Sequence, residues 1–202
     1  FDAREDGGPA AHVMIYEMAE GTASYPTIQA EGDIGFAALS ALAASDAPGM
    51  MFAASDSFLS GSPSIYTIDA TAMPARITAA LTVTRGGAPA QLMDIEGLTQ
   101  DGEGGFWLAT EGRTDRMIPH GIVHVDAEGG IIEEIGLPAE LSAHEIRYGF
   151  EGIAKVGDVL WMAVQRPWAD DPENMVKLVS YNLTEQTWGA VHYPLEAAAE
   201  GA

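Results

Sequence analysis

Two stretches of this 202-residue chain place acids where a strand would begin. "DIEGLTQDGEGGFWLATEG", residues 94–112, carries Asp94, Glu96 and Glu111. "GFEGIAKVGDVLWMAVQRP", residues 149–167, has the same layout, with Glu151 at the place of Glu96. Residues i and i+2 of a strand point the same way, so Asp94 and Glu96 are expected to project together. Oxygen donors converging from neighbouring repeats suit Ca²⁺, a hard cation that takes roughly six to eight of them. Asp94, Glu96, Glu111 and Glu151 are therefore the expected metal ligands. A structural role is the alternative, in which each carboxylate accepts backbone N–H bonds and pins one repeat to the next.

Cations are scarce: Lys and Arg total nine, against 30 Asp and Glu. Arg85, Arg113, Arg116, Arg147 and Arg166 all fall in expected loops on the acidic side. Arginine's planar fork binds phosphate or carboxylate in bidentate fashion, so these five form a candidate anion site. Pairing with the chain's own acids is the competing use. Of five histidines, His124 and His192 lie inside expected strands and read as packing residues. His120 and His144 fall in or beside loops and are the candidate acid–base pair. The loop "RPWADDPENM" lacks the spacing of an EF-hand. "HEIRYGFEG" is not H-E-x-x-H, and no G-x-S-x-G elbow, P-loop or dinucleotide fingerprint occurs.

What must position these residues is a repeat. The segments starting at Asp33, Asp94 and Gly149 line up, about 55 to 60 residues apart. Each reads as four short strands. They are expected at 34–41, 50–56, 64–69 and 76–83, then 94–100, 105–111, 120–126 and 130–137. The third set is 150–156, 158–165, 175–182 and 187–193. Gly-rich turns such as "DGEGG" and "DAEGG" separate them, and "GIVHVD" alternates and is rich in β-branched residues. Trp107 and Trp161, at matched positions, read as core between repeats. The sequence thus predicts an all-β fold, a β-propeller of four-stranded antiparallel blades. About three blades are present, spanning 34–83, 94–137 and 150–193. An additional strand over 11–18 reads as part of a preceding blade, and 196–202 as a tail. Three blades do not close a ring, so remaining blades or another chain are expected to complete a larger one.

With those motifs placed, the chain from about Ile34 to Leu195 resembles the bacterial esterase-like phytase family. The resemblance rests on the 94–112 motif, on "GFEGIA…LWMAVQRP", and on the closing Trp188 and Tyr193–Leu195. It implies a propeller fold, periplasmic or secreted location, and phosphoester hydrolysis. The first repeat departs from the pattern, with Ala37 at the Glu96/Glu151 position.

Nearly half the residues are apolar, so a sizeable core is expected rather than disorder. A formal charge of −21 argues against nucleic acid as a partner. No apolar run reaches the roughly 20 residues of a membrane span, and no signal peptide is visible at Phe1. With no cysteine, disulfides and thiolate metal sites are excluded. The leading expectation is metal-assisted hydrolysis of a small anionic phosphoester. The alternatives are a calcium-dependent lactonase-like hydrolase and a non-catalytic binding propeller.

Overall fold

The computed structural model describes residues 2–3, 9–12, 15–17, 22–24, 27–36, 38–56, 62–91, 93–112 and 118–196. Strands β1 (Asp2–Ala3), β2 (Pro9–His12), β3 (Ile15–Glu17), β4 (Thr22–Ser24) and β5 (Thr27–Ala30) come first. The first repeat follows as β6 (Leu39–Ala44), β7 (Met50–Ser55), β8 (Ser64–Asp69) and β9 (Arg76–Thr82). A short hairpin, β10 (Thr84–Arg85) and β11 (Ala88–Pro89), leads to β12 (Ile95–Gln100), β13 (Phe106–Thr110), β14 (Gly121–Val125) and β15 (Ile131–Gly136). One turn of helix, α1 (Ala139–Ser142), precedes β16 (Phe150–Val156), β17 (Val159–Val164), β18 (Met175–Asn182) and β19 (Thr187–Pro194).

The fold is all-β. The second and third repeats are separate four-stranded antiparallel meanders, β12–β15 and β16–β19. The first repeat is the same meander, β6–β9, widened at its outer edge. There β5 pairs in parallel with β9, and β2 and β1 continue the sheet to seven strands. The single strand expected over 11–18 is replaced by two, Pro9–His12 and Ile15–Glu17; the first joins the outer edge of the first repeat and the second pairs with β4. The 197–202 tail lies outside the described residues.

The first strands of the three units stand side by side, and the approach is close. A Cβ on Gly97 of β12 would meet the backbone of Gly152 and Ile153 in β16 at 2.7–2.9 Å. Only glycine lets the two strands approach this closely. Toward β6, the Ser40 hydroxyl donates to the Ile95 carbonyl, and Gln100 Nε2 donates to Ala44 O at 3.0 Å.

Register gives the units one-to-one equivalence. Each first strand carries a bulge at the same place: between Leu39 and Ala41, Ile95 and Gly97, Phe150 and Gly152. The extra residues are Ser40, Glu96 and Glu151, so Ser40, not Ala37, is the counterpart of the two glutamates. Ala37 itself lies outside the described residues. The first strand begins later than expected, at Leu39, because Ala38 sits in the left-handed region at φ 47° and turns the chain just before it.

One face of each unit then repeats: Phe52, Ala54, Ile65 and Leu81; Trp107, Ala109, Ile122 and Ile135; Trp161, Ala163, Leu178 and Val191. The first set is packed against Leu98, Phe106, Leu108, Val123 and Val125 of the second unit. The second set is packed against Leu160, Met162, Val179 and Tyr181 of the third. A third cluster joins Ala53, Tyr66, Ile68 and Ile77 to Ile28 and Phe36. On the third unit the same face has no described sheet against it: Ala163 is exposed and Val191 is 49% exposed.

Candidate metal and anion site

The acidic residues meet at the end where the first strands begin. Asp56, Asp94 and Glu96 each bring a carboxylate oxygen to within 4.8 Å of the others. That spacing spans a cation with oxygens at about 2.4 Å on either side, the Ca²⁺ distance. Asp94 precedes β12 and Glu96 is its bulge. Asp56 follows β7, where its N–H donates to Ala38 O at 2.9 Å. The same bond recurs as Glu111 N to Asp94 O at 2.8 Å and Gln165 N to Gly149 O at 2.9 Å. Asp56, Glu111 and Gln165 are thus one position in three units.

Glu111 is buried and accepts the Gly149 N–H at 3.1 Å, which ties the second strand of one unit to the first strand of the next. Charge crowds here. Burial, followed by the charges of Glu151, Asp94, Asp56 and Glu111, pushes the Glu96 carboxyl up to about 8. Burial, then Glu111 and Asp94, raises Glu151 as well. The four carboxylates read from the sequence therefore act on one another electrostatically, and Asp56 joins them. Asp56 was missed although its strand was aligned in step with that of Glu111, because the first repeat carries no acid at the Glu96 position to mark a ligand set there. Its position after "FAAS", like Glu111 after "WLAT", was the available signal.

His120 does not open onto this site. It is 1% exposed. Its Nδ1 accepts the Gly112 N–H at 2.9 Å, so Nε2 carries the proton and donates to Ile146 O at 3.0 Å. Burial lowers its pKa. Both ring nitrogens are engaged, and a Cβ on Gly149 would stand 1.8 Å from Nδ1. The acid–base role expected of it gives way to a buried brace between the second and third units. His144 is half-buried in the loop before β16, where its carbonyl accepts the Ala169 N–H at 3.1 Å.

The five arginines separate. Arg85 lies on the outer side, paired twice at 2.9 Å with Glu134 of β15. Its expected place in an anion site gives way to internal pairing: Nε and Nη2 hold the carboxylate, and Nη1 donates to the Gln91 carbonyl at 3.4 Å. Arg113 and Arg116 lie outside the described residues. Arg147 and Arg166 both reach Tyr148, their guanidiniums 5.7 and 4.1 Å from the centre of the ring. Nothing in the sequence marked Tyr148.

Lys177 is buried and held by Asp170, at 2.6 Å, and by Asp171. Asp171 also accepts from His192 Nε2 and from the Trp168 N–H at 2.6 Å. Asp170 and Asp171 of the "RPWADDPENM" loop are thereby committed to fixing that loop. Trp107 is core, as its position suggested, and stacks on His124 at 4.0 Å between ring centres.

A family model described as phytase-like, "esterase-like activity of phytase", matches residues 34–202. The chain belongs to this phytase-like family. No curated protein matches it. The four-stranded antiparallel sheets fit the blades of a propeller, and no described helix is long and apolar enough to cross a membrane.

Proposed function

We propose that this phytase-like chain forms three blades of a larger β-propeller that hydrolyses a phosphoester with the help of a divalent cation. The observation that carries this reading is the meeting of Asp56, Asp94 and Glu96 from two units, with Glu111 and Glu151 acting on the same spot. A set of hard oxygen donors that repel one another when ionised is the setting in which Ca²⁺ binds. When bound there, the cation would polarise a phosphoryl oxygen and lower the pKa of a water. Asp56, Asp94 and Glu96 would hold it. Glu151, whose pKa is raised by burial and by Glu111 and Asp94, would accept a proton at its carboxylate. The substrate is a small anion. The Trp161 face, against which no described sheet packs, supports completion of the ring by further blades, and the family resemblance supports a periplasmic or secreted location.

The Glu111–Gly149 bond favours a second reading for one residue: Glu111 acts as a fastener, and a propeller braced in this way could bind without catalysing. Turnover of p-nitrophenyl phosphate decides between them. Calcium-dependent hydrolysis that is abolished by EDTA and by Glu96→Gln is expected; no turnover with any divalent cation leaves the binding propeller.

A further inference from the structure

The first and second units are tied at both ends of the pair formed by their first strands, β6 and β12. At the far end Gln100 Nε2 donates to Ala44 O at 3.0 Å. At the carboxylate end the tie is the half-buried Ser40, whose hydroxyl donates to the Ile95 carbonyl and lies 3.4 Å from Ala54 O of its own unit. Both carbonyls are placed among the acids. Ile95 stands between Asp94 and Glu96, and Ala54 stands two residues before Asp56. One hydroxyl thus spans from the strand that leads into Asp56 to the peptide that carries the other two acids. At the next junction the residue in the place of Ser40 is Glu96, which has no proton to donate when ionised. There the tie is made instead by Glu111, which accepts the Gly149 N–H at 3.1 Å.

Building on the cation reading of these acids, we infer that Ser40 is a positioning residue that sets the distance between Asp56 of the first unit and Asp94 and Glu96 of the second. The three carboxylate oxygens lie within 4.8 Å of one another, and when ionised they repel. Asp56 stands on one unit and the other two acids on its neighbour, so the repulsion acts across the junction and drives the two first strands apart. The Ser40–Ile95 bond opposes that drive. Serine does so without charge, whereas an acid at this position would add to the repulsion. With the spacing held before the cation arrives, binding has less ordering to impose. Ser40 acts through the Ile95 peptide rather than as a ligand.

Calorimetric titration of the 202-residue chain with Ca²⁺, after metal is removed with EDTA, tests this beside urea unfolding in EDTA. Ser40→Ala is expected to raise the Ca²⁺ Kd about threefold to tenfold, the worth of one neutral hydrogen bond. Ser40→Thr, which keeps the hydroxyl, is expected to restore the wild-type Kd. Gln100→Ala loosens the same strand pair at its far end, four residues beyond Glu96 at about 3.3 Å each. It is expected to lower the urea midpoint and leave the Kd unchanged. A general loss of stability would move both variants alike; positioning moves the Kd of the first alone. An unchanged Kd in Ser40→Ala, no recovery in Ser40→Thr, or an equal rise in Gln100→Ala overturns the role of Ser40 and leaves the cation reading standing. Absence of Ca²⁺ binding by the wild type removes the cation reading and the positioning role together. Where Ser40→Ala does not fold, Ser40→Cys, a weaker donor of similar size, is expected to bind Ca²⁺ more weakly than Ser40→Thr; equal affinities overturn the role of Ser40 as well.

Discussion

Glu111 Oε1 accepts the backbone N–H of Gly149 at 3.1 Å, so a residue ending one unit's second strand fastens the start of the next unit's first strand. The same carboxylate adds to the negative field on Glu151 and Glu96. Its acceptor and its charge can be separated. Glu111→Gln keeps an oxygen for Gly149 and removes the charge; it is expected to bind Ca²⁺ more weakly while remaining more stable than Glu111→Ala. Glu111→Ala leaves a buried N–H unpaired and is expected to cost about 1–3 kcal/mol. Urea unfolding without calcium, followed by calcium titration of each variant, checks both halves.

The raised Glu96 carboxyl sets a pH dependence. Its folded pKa is about 8 and its ordinary value is 4.5. Between those values the folded protein holds a proton that the unfolded chain has lost, so stability falls as pH rises through that window. A cation replaces the proton and reverses the trend. Without calcium, Tm is expected to drop between pH 5 and 9; with millimolar Ca²⁺ the drop shrinks, most at the alkaline end. Glu96→Gln flattens the calcium-free curve and removes the calcium effect. A wild-type curve insensitive to calcium at pH 9 would rule out the cation at this site.

His120 works in the opposite sense. Burial lowers its pKa from the ordinary 6.5, so the unfolded chain binds a proton that the folded protein refuses. Stability from this group is complete above 6.5 and is lost as pH falls toward the folded value. His120→Ala removes the partner of both the Gly112 N–H and the Ile146 carbonyl and opens a cavity, at an expected cost of about 2–4 kcal/mol. The acid-side loss of stability should be smaller in this variant than in wild type, as read from urea midpoints between pH 5 and 7.

What the sequence could reveal follows the physics of its signals. Trp107 and Trp161 stand at matched places between Gly-rich turns, because turn chemistry and alternation are local, and the meanders were legible for that reason. Glu96 and Glu151 were legible as a pair because each opens a clean strand. Ser40 was not, since a left-handed Ala38 and a bulge moved the first repeat's strand by three residues. The partner of Arg85 is Glu134, 49 residues away, and the contact of Arg166 with Tyr148 joins two strands. Such side-chain meetings leave no period in the sequence.

The last prediction compares two equivalent side chains. Ile122 and Leu178 occupy the same place on the repeating face, Ile122 opposite Ala109 and Leu178 opposite Ala163. Ile122 is 0% exposed, sealed by the third unit. Leu178 has no described sheet against it and is half-buried. Truncating a sealed aliphatic side chain forfeits its transfer energy and leaves a cavity, about 2–5 kcal/mol, while one at an open face loses only part of the transfer term. Ile122→Ala is therefore expected to cost at least about 2 kcal/mol in urea unfolding of this chain, and Leu178→Ala less than about 1 kcal/mol. Trp161→Phe should remove emission that acrylamide quenches readily, and Trp107→Phe emission that it does not. If another blade covers the Trp161 face, Leu178→Ala becomes as costly as Ile122→Ala and Trp161 becomes protected. Equal costs measured on the 202-residue chain alone would show that the face is already covered and that no further blade is needed there.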